Sequence, residues 1–572
     1  MNFKNRLKTK PIKAGLVTFA ATAGAATAAL LLLFSGAPVF AVERLPGVVD
    51  RPPVELPAEV KRPVEIKPEK MPEVTPFDTG TAGSVKINEV IFSGDLVFSE
   101  SVLQGIAKPF IKKPVSPDDI TRLKYALLKR YYDKGYVLVK VTTPPQNISS
   151  GTLKIIVYAG KIGNIETQNN RLRKYLVRSH FTNRLKKGEV FNERRVETAV
   201  KNVDDLGRLK ANLNLKPGET FGTTDLLLVT EKERDQFFEI TADNYGSRLT
   251  GKAQLAANLR LSNFLKFGES ISGTYRWSEE GLQSYSSEAS LPIGIGNLRL
   301  EGNYLYSEND IEGRLAALDA AGITRKAGAA ISGKFTNSSK RQILMRVGGE
   351  IRRHESFLGG MLETRDDITR AYVEGSILTR YRPLVIYLDG IVSKGFDALG
   401  SDIQGEADAS TMMGHPKAWR FNGRAYASLA FTRSTYFSVN AQGQLASTHL
   451  LASDQFSLGG YGSVRGFRVA KESGEEGVQI TTELSQSFSL HPNARVSIIP
   501  FFDYGAVKSR TAGMVVDDKL YSLGVGAEVV MKLFRHTNTT ARFDWGRPIR
   551  RKTYKDRTVD HNIFYIRVTQ NY

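Results

Sequence analysis

From residue 235 to the C-terminus, apolar and polar residues alternate with a period of two, and no apolar stretch there is long enough for a membrane-spanning helix. The segment around residue 520 shows the pattern most clearly. Tyr521, Leu523, Val525, Ala527, Val529, Met531 and Leu533 share one face of an extended chain, while Ser522, Gly524, Gly526, Glu528 and Lys532 share the other. Apolar residues outside and polar residues inside are the pattern of a membrane-spanning barrel. A soluble β-sandwich is the alternative, but it would gather its apolar faces onto one core.

Marking each such stretch predicts strands at 237–245, 252–261, 269–278, 284–292, 297–306, 326–336, 341–356, 366–380, 384–394, 418–433, 435–447, 477–490, 494–508, 520–534, 537–546 and 562–572. That makes sixteen antiparallel strands over 235–572, an even number that brings both ends of the barrel to the same side. In the last strand Phe564, Ile566, Val568 and Tyr572 fall on one face, and terminal aromatics on a lipid face suit an assembly signal.

The N-terminus fits export. Lys4, Arg6, Lys8, Lys10 and Lys13 precede an uncharged run to Val42, and Val39-Phe40-Ala41 places a cleavage site after Ala41, so 1–41 reads as a signal peptide. An uncleaved anchor is the alternative; Pro38 and the Ala, Gly and Thr that dilute the run speak against it. Residues 42–83 contain Pro46, Pro52, Pro53, Pro57, Pro63, Pro68, Pro72 and Pro76 among alternating Glu and Lys, and predict an extended linker.

Residues 84–159 and 160–232 read as two copies of one small α/β unit. In the first, a strand from Val85 through Phe92 leads to a helix opened by Ser116-Pro117-Asp118-Asp119, followed by strands at 136–141 and 152–158. In the second, a strand near 162–166 leads to a helix capped by Asn192, followed by strands near 210–216 and 225–230. Each three-stranded sheet leaves edges that can accept an extended peptide, unless the pair is only a rigid spacer.

The chemistry that the sequence lacks is also informative. With no cysteine and seven scattered His, it offers neither thiolate nor HExxH metal chemistry, and there is no Walker phosphate loop or G-x-S-x-G nucleophile. We therefore expect no enzyme activity and no cofactor. The formal charge of +20 would suit nucleic acid in a cytoplasmic protein. In an exported one it points instead to solvated faces or anionic lipid head groups, with no nucleic acid as partner.

Between the eleventh and twelfth predicted strands lies a glycine-dense loop, Ser453 to Phe467, containing Gly459-Gly460 and the tetrapeptide Val464-Arg465-Gly466-Phe467. The thirteenth strand carries Phe501, Asp503 and Gly505 in F-x-D-x-G spacing. Together these resemble the signatures of outer-membrane two-partner secretion transporters, the haemolysin secretion and activation family. Two units before a sixteen-stranded barrel are similar to that family's two POTRA domains.

The resemblance implies a monomeric outer-membrane pore, surrounded by lipid, with POTRA domains in the periplasm that bind a secreted partner exoprotein. It also implies that this sixth extracellular loop folds into the lumen, where Arg465 meets an acid on the wall. Alternation points Phe501, Asp503 and Glu483 inward, so Asp503 is the expected partner and Glu483 a second acceptor; a solvated lumen acid is the other reading of Asp503. Two departures stand out. The chain ends in Tyr572, with Gln570 two residues earlier, where the family pattern has two aromatics ending in Phe. The family's plug helix is expected to be absent, or shortened to part of Val42–Gly47, in so proline-rich a segment. A barrel-assembly insertase of the same superfamily, an enzyme and a passive porin are the competing functions; two small units favour secretion over the first and argue against the last.

Overall fold

The computed structural model describes residues 84–572, apart from 169–171, 207–208, 233–235, 295–296, 312, 402–407, 512–513, 534–536 and 553–561. The expected signal peptide, linker and plug segment lie outside the described residues.

The first small unit contains β1 (Val85–Ile87), β2 (Glu89–Gly94), α1 (Glu100–Ala107), β3 (Lys113–Val115), α2 (Pro117–Asp133), β4 (Val139–Thr142) and β5 (Thr152–Ala159). Its sheet has the order β2-β5-β4, with β2 parallel and β4 antiparallel to the central strand. Ser116 caps α2 by accepting from the Asp119 amide at 3.2 Å, and Asp119 accepts in return from the Ser116 amide. Ile120, Leu123, Leu127 and Tyr131 then form one buried stripe against the sheet.

The second unit repeats the arrangement with β6 (Lys161–Gln168), α3 (Lys174–Thr182), α4 (Glu193–Asp204), β7 (Leu209–Pro217) and β8 (Thr223–Lys232), in the order β6-β8-β7. Asn192 caps α4, which buries Val196, Val200 and Val203. The two units meet tightly: Asp95 accepts from Lys161 at 2.8 Å, and that ammonium holds the Asp95 carboxyl below the usual range.

Several elements of these units differ from the sequence reading. The single strand expected from Val85 through Phe92 is broken at Asn88, whose amide donates to the Gly151 carbonyl, so β1 pairs with β3 and only β2 joins the sheet. The strand expected at 136–141 starts at Val139, and α1 and α3 were not anticipated. These helices have only eight and nine residues and make no side-chain cap hydrogen bond, too short a run for periodicity to mark them.

The barrel follows: β9 (Gln236–Asp243), β10 (Gln254–Ser262), β11 (Ser270–Ser278), β12 (Leu282–Pro292), β13 (Leu298–Asp310), β14 (Ala321–Asn337), β15 (Arg341–Leu358), β16 (Met361–Tyr381), β17 (Leu384–Phe396), β18 (Trp419–Ala430) and β19 (Thr435–Ala446). Two short strands, β20 (Phe456–Leu458) and β21 (Glu472–Gly474), form a hairpin base inside the next loop. Then come β22 (Glu476–His491), β23 (Ala494–Thr511), β24 (Met514–Met531), β25 (Asn538–Lys552) and β26 (Ile563–Asn571). Sixteen strands close into one antiparallel barrel, sealed by β26 against β9 from Asn571↔Glu239 to Arg567↔Asp243.

Side chains point as the period of two requires. Leu259, Val347, Leu388, Phe502 and Leu523 stand on the outer surface, while Ser497, Asp503, Ser522 and Asp544 are buried inside. Closure gives every barrel strand a paired neighbour on both sides, which makes crossing a hydrocarbon layer feasible. Strands β14, β16, β24 and β25 run five or six residues past their expected ends. Beyond the apolar band, ladder pairing continues through charged residues, as in Arg353–Asp367, so alternation fades while the strand does not.

The second unit docks on the near rim of the barrel. Asp205, just after α4, accepts from Lys334 at 2.6 Å and from Asn337 at 2.8 Å, and its carbonyl accepts from Arg299 at 3.3 Å. Asp205→Ala removes both side-chain contacts at a partly exposed site, a loss on the order of 1 kcal/mol. We expect faster hydrogen exchange in the 337–341 turn and an unaltered barrel; unchanged exchange would show the contact to be incidental.

Candidate functional site

The loop between β19 and β22, residues 447–475, enters the barrel and lies against the inner face of β22–β25. Arg465 is 2% exposed. Its Nε and Nη2 donate to the two oxygens of Asp503 at 2.8 and 2.9 Å, and its backbone amide donates to Asp503 Oδ2 at 3.0 Å. Nη1 donates to Glu483 at 2.9 Å and to Asp544 at 3.2 Å. The guanidinium carbon lies 3.3 Å from the centroid of the Phe501 ring. A planar fork matched to a carboxylate, over an aromatic face and away from water, is a site that Arg suits and Lys does not.

The three residues of F-x-D-x-G lie two apart on β23 and so project inward together. Phe501 stacks under the guanidinium and Asp503 pairs with it. Gly505 clears the way, since a Cβ there would lie 2.7 Å from Leu458 and 2.8 Å from Val464. Val464 and Phe467 are fully buried with Leu458, Val507 and Leu520, a small apolar core formed jointly by loop and wall. Gly466 has φ +88°, and its Cβ would meet the Gly546 backbone at 3.0 Å. Its amide donates to the Tyr565 hydroxyl, which in turn donates to the Phe467 carbonyl. The structure thus gathers Val464, Arg465, Gly466, Phe467, Glu483, Phe501, Asp503 and Gly505 into one cluster.

Phe564 and Tyr572 lie elsewhere, on the outer surface near the seam. The Phe564 ring is 5.8 Å from Phe543 and that of Tyr572 is 6.0 Å from Phe238.

Sequence reasoning missed two members. Arg542 and Asp544 on β25 complete the site, Arg542 donating to both Glu483 and Asp544 at 2.9 Å, so that two guanidiniums are shared among three carboxylates. Alternation would have turned both inward, and a charged pair on an inner face was the available signal. Tyr461, in the Gly-Gly-Tyr-Gly run, stacks on Tyr245 at 3.7 Å and tilts against Tyr565 at 5.5 Å, tying the loop to both sides of the β26–β9 seam. No group of residues suited to a metal is found among the described residues.

A sequence profile described as haemolysin secretion/activation protein ShlB/FhaC/HecB matches residues 222–529, and one described as POTRA domain, ShlB-type, matches 85–160. The chain belongs to the haemolysin secretion/activation family. Among family relatives, the heme/hemopexin transporter protein HuxB of Haemophilus influenzae is 22% identical over 446 residues, covering 74% of this chain and 77% of that protein. The outer membrane transporter CdiB of Dickeya dadantii is 22% identical over 472 residues, covering 78% and 80%. The solved structure of CdiB from Escherichia coli shares the fold, with a TM-score of 0.73 at 20% identity, over 90% of this chain and 94% of that one. This family member is an outer-membrane transporter of the two-partner secretion type, its small POTRA units on the periplasmic side. The rim that carries Asp205 and Lys334 is therefore periplasmic, and the 447–475 loop is the sixth to start from the extracellular end.

Gly466→Ala forces a side chain into a left-handed backbone, costing on the order of 1–3 kcal/mol, and pushes on β25 as well. We expect 459–468 to become accessible to proteinase K in the folded barrel; a loop as protected as in the wild type would contradict this account.

Proposed function

We propose that this transporter passes one unfolded partner protein through its lumen to the cell exterior, and that the 447–475 loop is the lock of that path. The observation that carries the reading is the buried Arg465, held by Asp503, Glu483 and Asp544 on three different wall strands. A loop so tethered fills the space that an extended chain would need. Transport then alternates between a tethered and a released loop, with the client favouring the second state. Folding of the client outside supplies direction without a nucleotide.

The two POTRA units are where we infer capture. They carry three-stranded sheets whose outer strands, β2 and β4 in one and β6 and β7 in the other, can extend pairing to an incoming strand. Main-chain pairing accepts many sequences, and grooves beside α2 and α4 would select side chains. The pore acts as a monomer and needs neither cofactor nor catalysis. Phe564 and Tyr572, exposed to lipid at the seam, serve as the assembly signal.

Arg465→Ala leaves three carboxylates with one guanidinium, and breaking a buried pair from one side costs roughly 3–5 kcal/mol. Secretion of the partner is expected to fall at least tenfold, about the effect of 1.4 kcal/mol, while the barrel still inserts. Full export by the double variant Arg465→Ala/Asp503→Ala would remove the lock from the mechanism.

Deleting 84–159 or 160–232 separately should move the partner from the medium to the periplasm. Normal secretion by both deletions would leave the units as spacers.

A further inference from the structure

Arg465 is not the only buried ionic tether of this loop. At its opposite end, Asp454 is 6% exposed and sits among three arginines of the barrel wall: Arg352 on β15, Arg370 on β16 and Arg420 on β18. Arg352 Nη2 and Arg420 Nη1 donate to Asp454 Oδ1 at 2.6 and 2.7 Å, and Arg370 Nη2 donates to Oδ2. Arg352 also donates to Ser453 Oγ at 3.1 Å, and Gln444 holds the Asp454 carbonyl at 2.9 Å.

Around Asp454 the wall presents three guanidiniums. Among the described residues, the wall carboxylate Glu350 accepts from Arg370 at 3.2 Å and also faces Lys326 at 3.3 Å. Asp366, farther off, is engaged by the Ser410 amide and hydroxyl. Among the described residues, Arg352 Nε has no hydrogen-bond partner although the side chain is 7% exposed. Three guanidiniums converging on one carboxylate, with a donor to spare, make a site built on the wall and filled from the loop.

We propose that Arg352, Arg370 and Arg420 form a carboxylate-binding site on the lumen wall, which Asp454 occupies as a built-in competitor in the closed pore and which acidic side chains of the polypeptide in transit occupy once the loop leaves. The proposal rests on the reading of the lumen as the transport path. Asp454, at the end of a short 3-10 turn at 452–454, presents to the site the group that an acidic client residue would present, a carboxylate on a flexible side chain. Buried arginines left without an anion are strongly unfavourable, so the loop cannot leave at no cost unless another carboxylate arrives. An acidic residue of the client would thus favour opening and mark a station along the path.

The test uses the purified full-length protein in planar bilayers, with a ten-residue oligoglutamate as blocking probe and oligoglutamine of equal length as control. Asp454→Asn vacates the site, and half-block by oligoglutamate is expected at a concentration about tenfold or more below that for the wild type, the equivalent of roughly 1.4 kcal/mol. Oligoglutamine should not distinguish the two proteins. Adding Arg352→Gln and Arg420→Gln to Asp454→Asn should abolish the gain.

Equal sensitivity of wild type and Asp454→Asn, or block that survives loss of the arginines, overturns the proposal. Should the single variant fail to insert, the charge-matched pair Asp454→Asn/Arg370→Gln keeps the cluster's net charge and two of its arginines. Half-block of this pair by oligoglutamate is expected at a lower concentration than for the wild type; sensitivity equal to wild type overturns the proposal. The probe needs neither the natural partner nor the small domains, so failure here leaves the transport reading standing. Loss of that reading in the secretion assays leaves this result standing in turn.

Discussion

A buried guanidinium stacked on Phe501 and held by Asp503, Glu483 and Asp544 fixes what occupies this barrel. A sixteen-stranded barrel is too wide for its own inward side chains to fill, unlike a barrel of eight. Something else must take up the space, and it must be removable if the space is to be used. The loop that enters the lumen contributes Leu458, Val464 and Phe467 to a small apolar core with Val507 and Leu520. Ionic and aromatic contacts supply the register that so small a core lacks. The fork on Asp503 sets the angle of the loop, Gly466 lets the backbone lie against β25, and Tyr461 reaches the seam.

The two tethers of the loop carry opposite charges and meet different sectors of the wall. Asp454 sits among arginines on the seventh, eighth and tenth barrel strands, and Arg465 among acids on the twelfth, thirteenth and fifteenth. Exchange of the two sites would bring like charges together, so the loop has one orientation in which both ends are satisfied. Buried ion pairs of this kind add less to stability than to the choice of a single arrangement, because desolvation offsets much of the attraction. That balance suits a closed state that has to be both well defined and reversible.

How much of this was legible in the sequence follows from which residues report to one neighbour and which to several. Each barrel strand announces itself, since lipid on one side and water or loop on the other impose alternation residue by residue. Ser522 and Leu523 are on opposite faces in the structure as the pattern demands. Asp503 could be turned inward by the same count, and the motif resemblance supplied its partner. Arg542 and Asp544 pointed inward too, but nothing local says that an inward charge touches a loop rather than water. Asp454 was harder still. Its partners come from three strands spread over residues 352–420, and convergence of that kind is a property of the closed ring. The helices α1 and α3 were lost for the opposite reason: with eight and nine residues they have too little local signal, and tertiary packing decides them.

The joint between the second small unit and the barrel obeys one further electrostatic argument. Asp204 and Asp205 close α4, where the partial negative charge of the helix end disfavours acids. Asp204 is used inside the unit, its carboxylate accepting from the Ala211 amide at 2.6 Å. Asp205 looks outward and is met by Lys334 and Asn337 from the end of β14, while its carbonyl meets Arg299 from β13. An acid that is unfavourable on the isolated helix becomes favourable when the barrel supplies the cations. The preference for docking is therefore written into the end of the helix rather than into a large apolar interface. Further polar contacts, from Asn337 to Asn202 and from the Ser339 amide to Glu197, keep the unit aligned with the rim. Under the capture proposed above, a strand added at the β7 edge would load α4, which precedes β7 in the chain, and through it the Asp205 contacts at the rim.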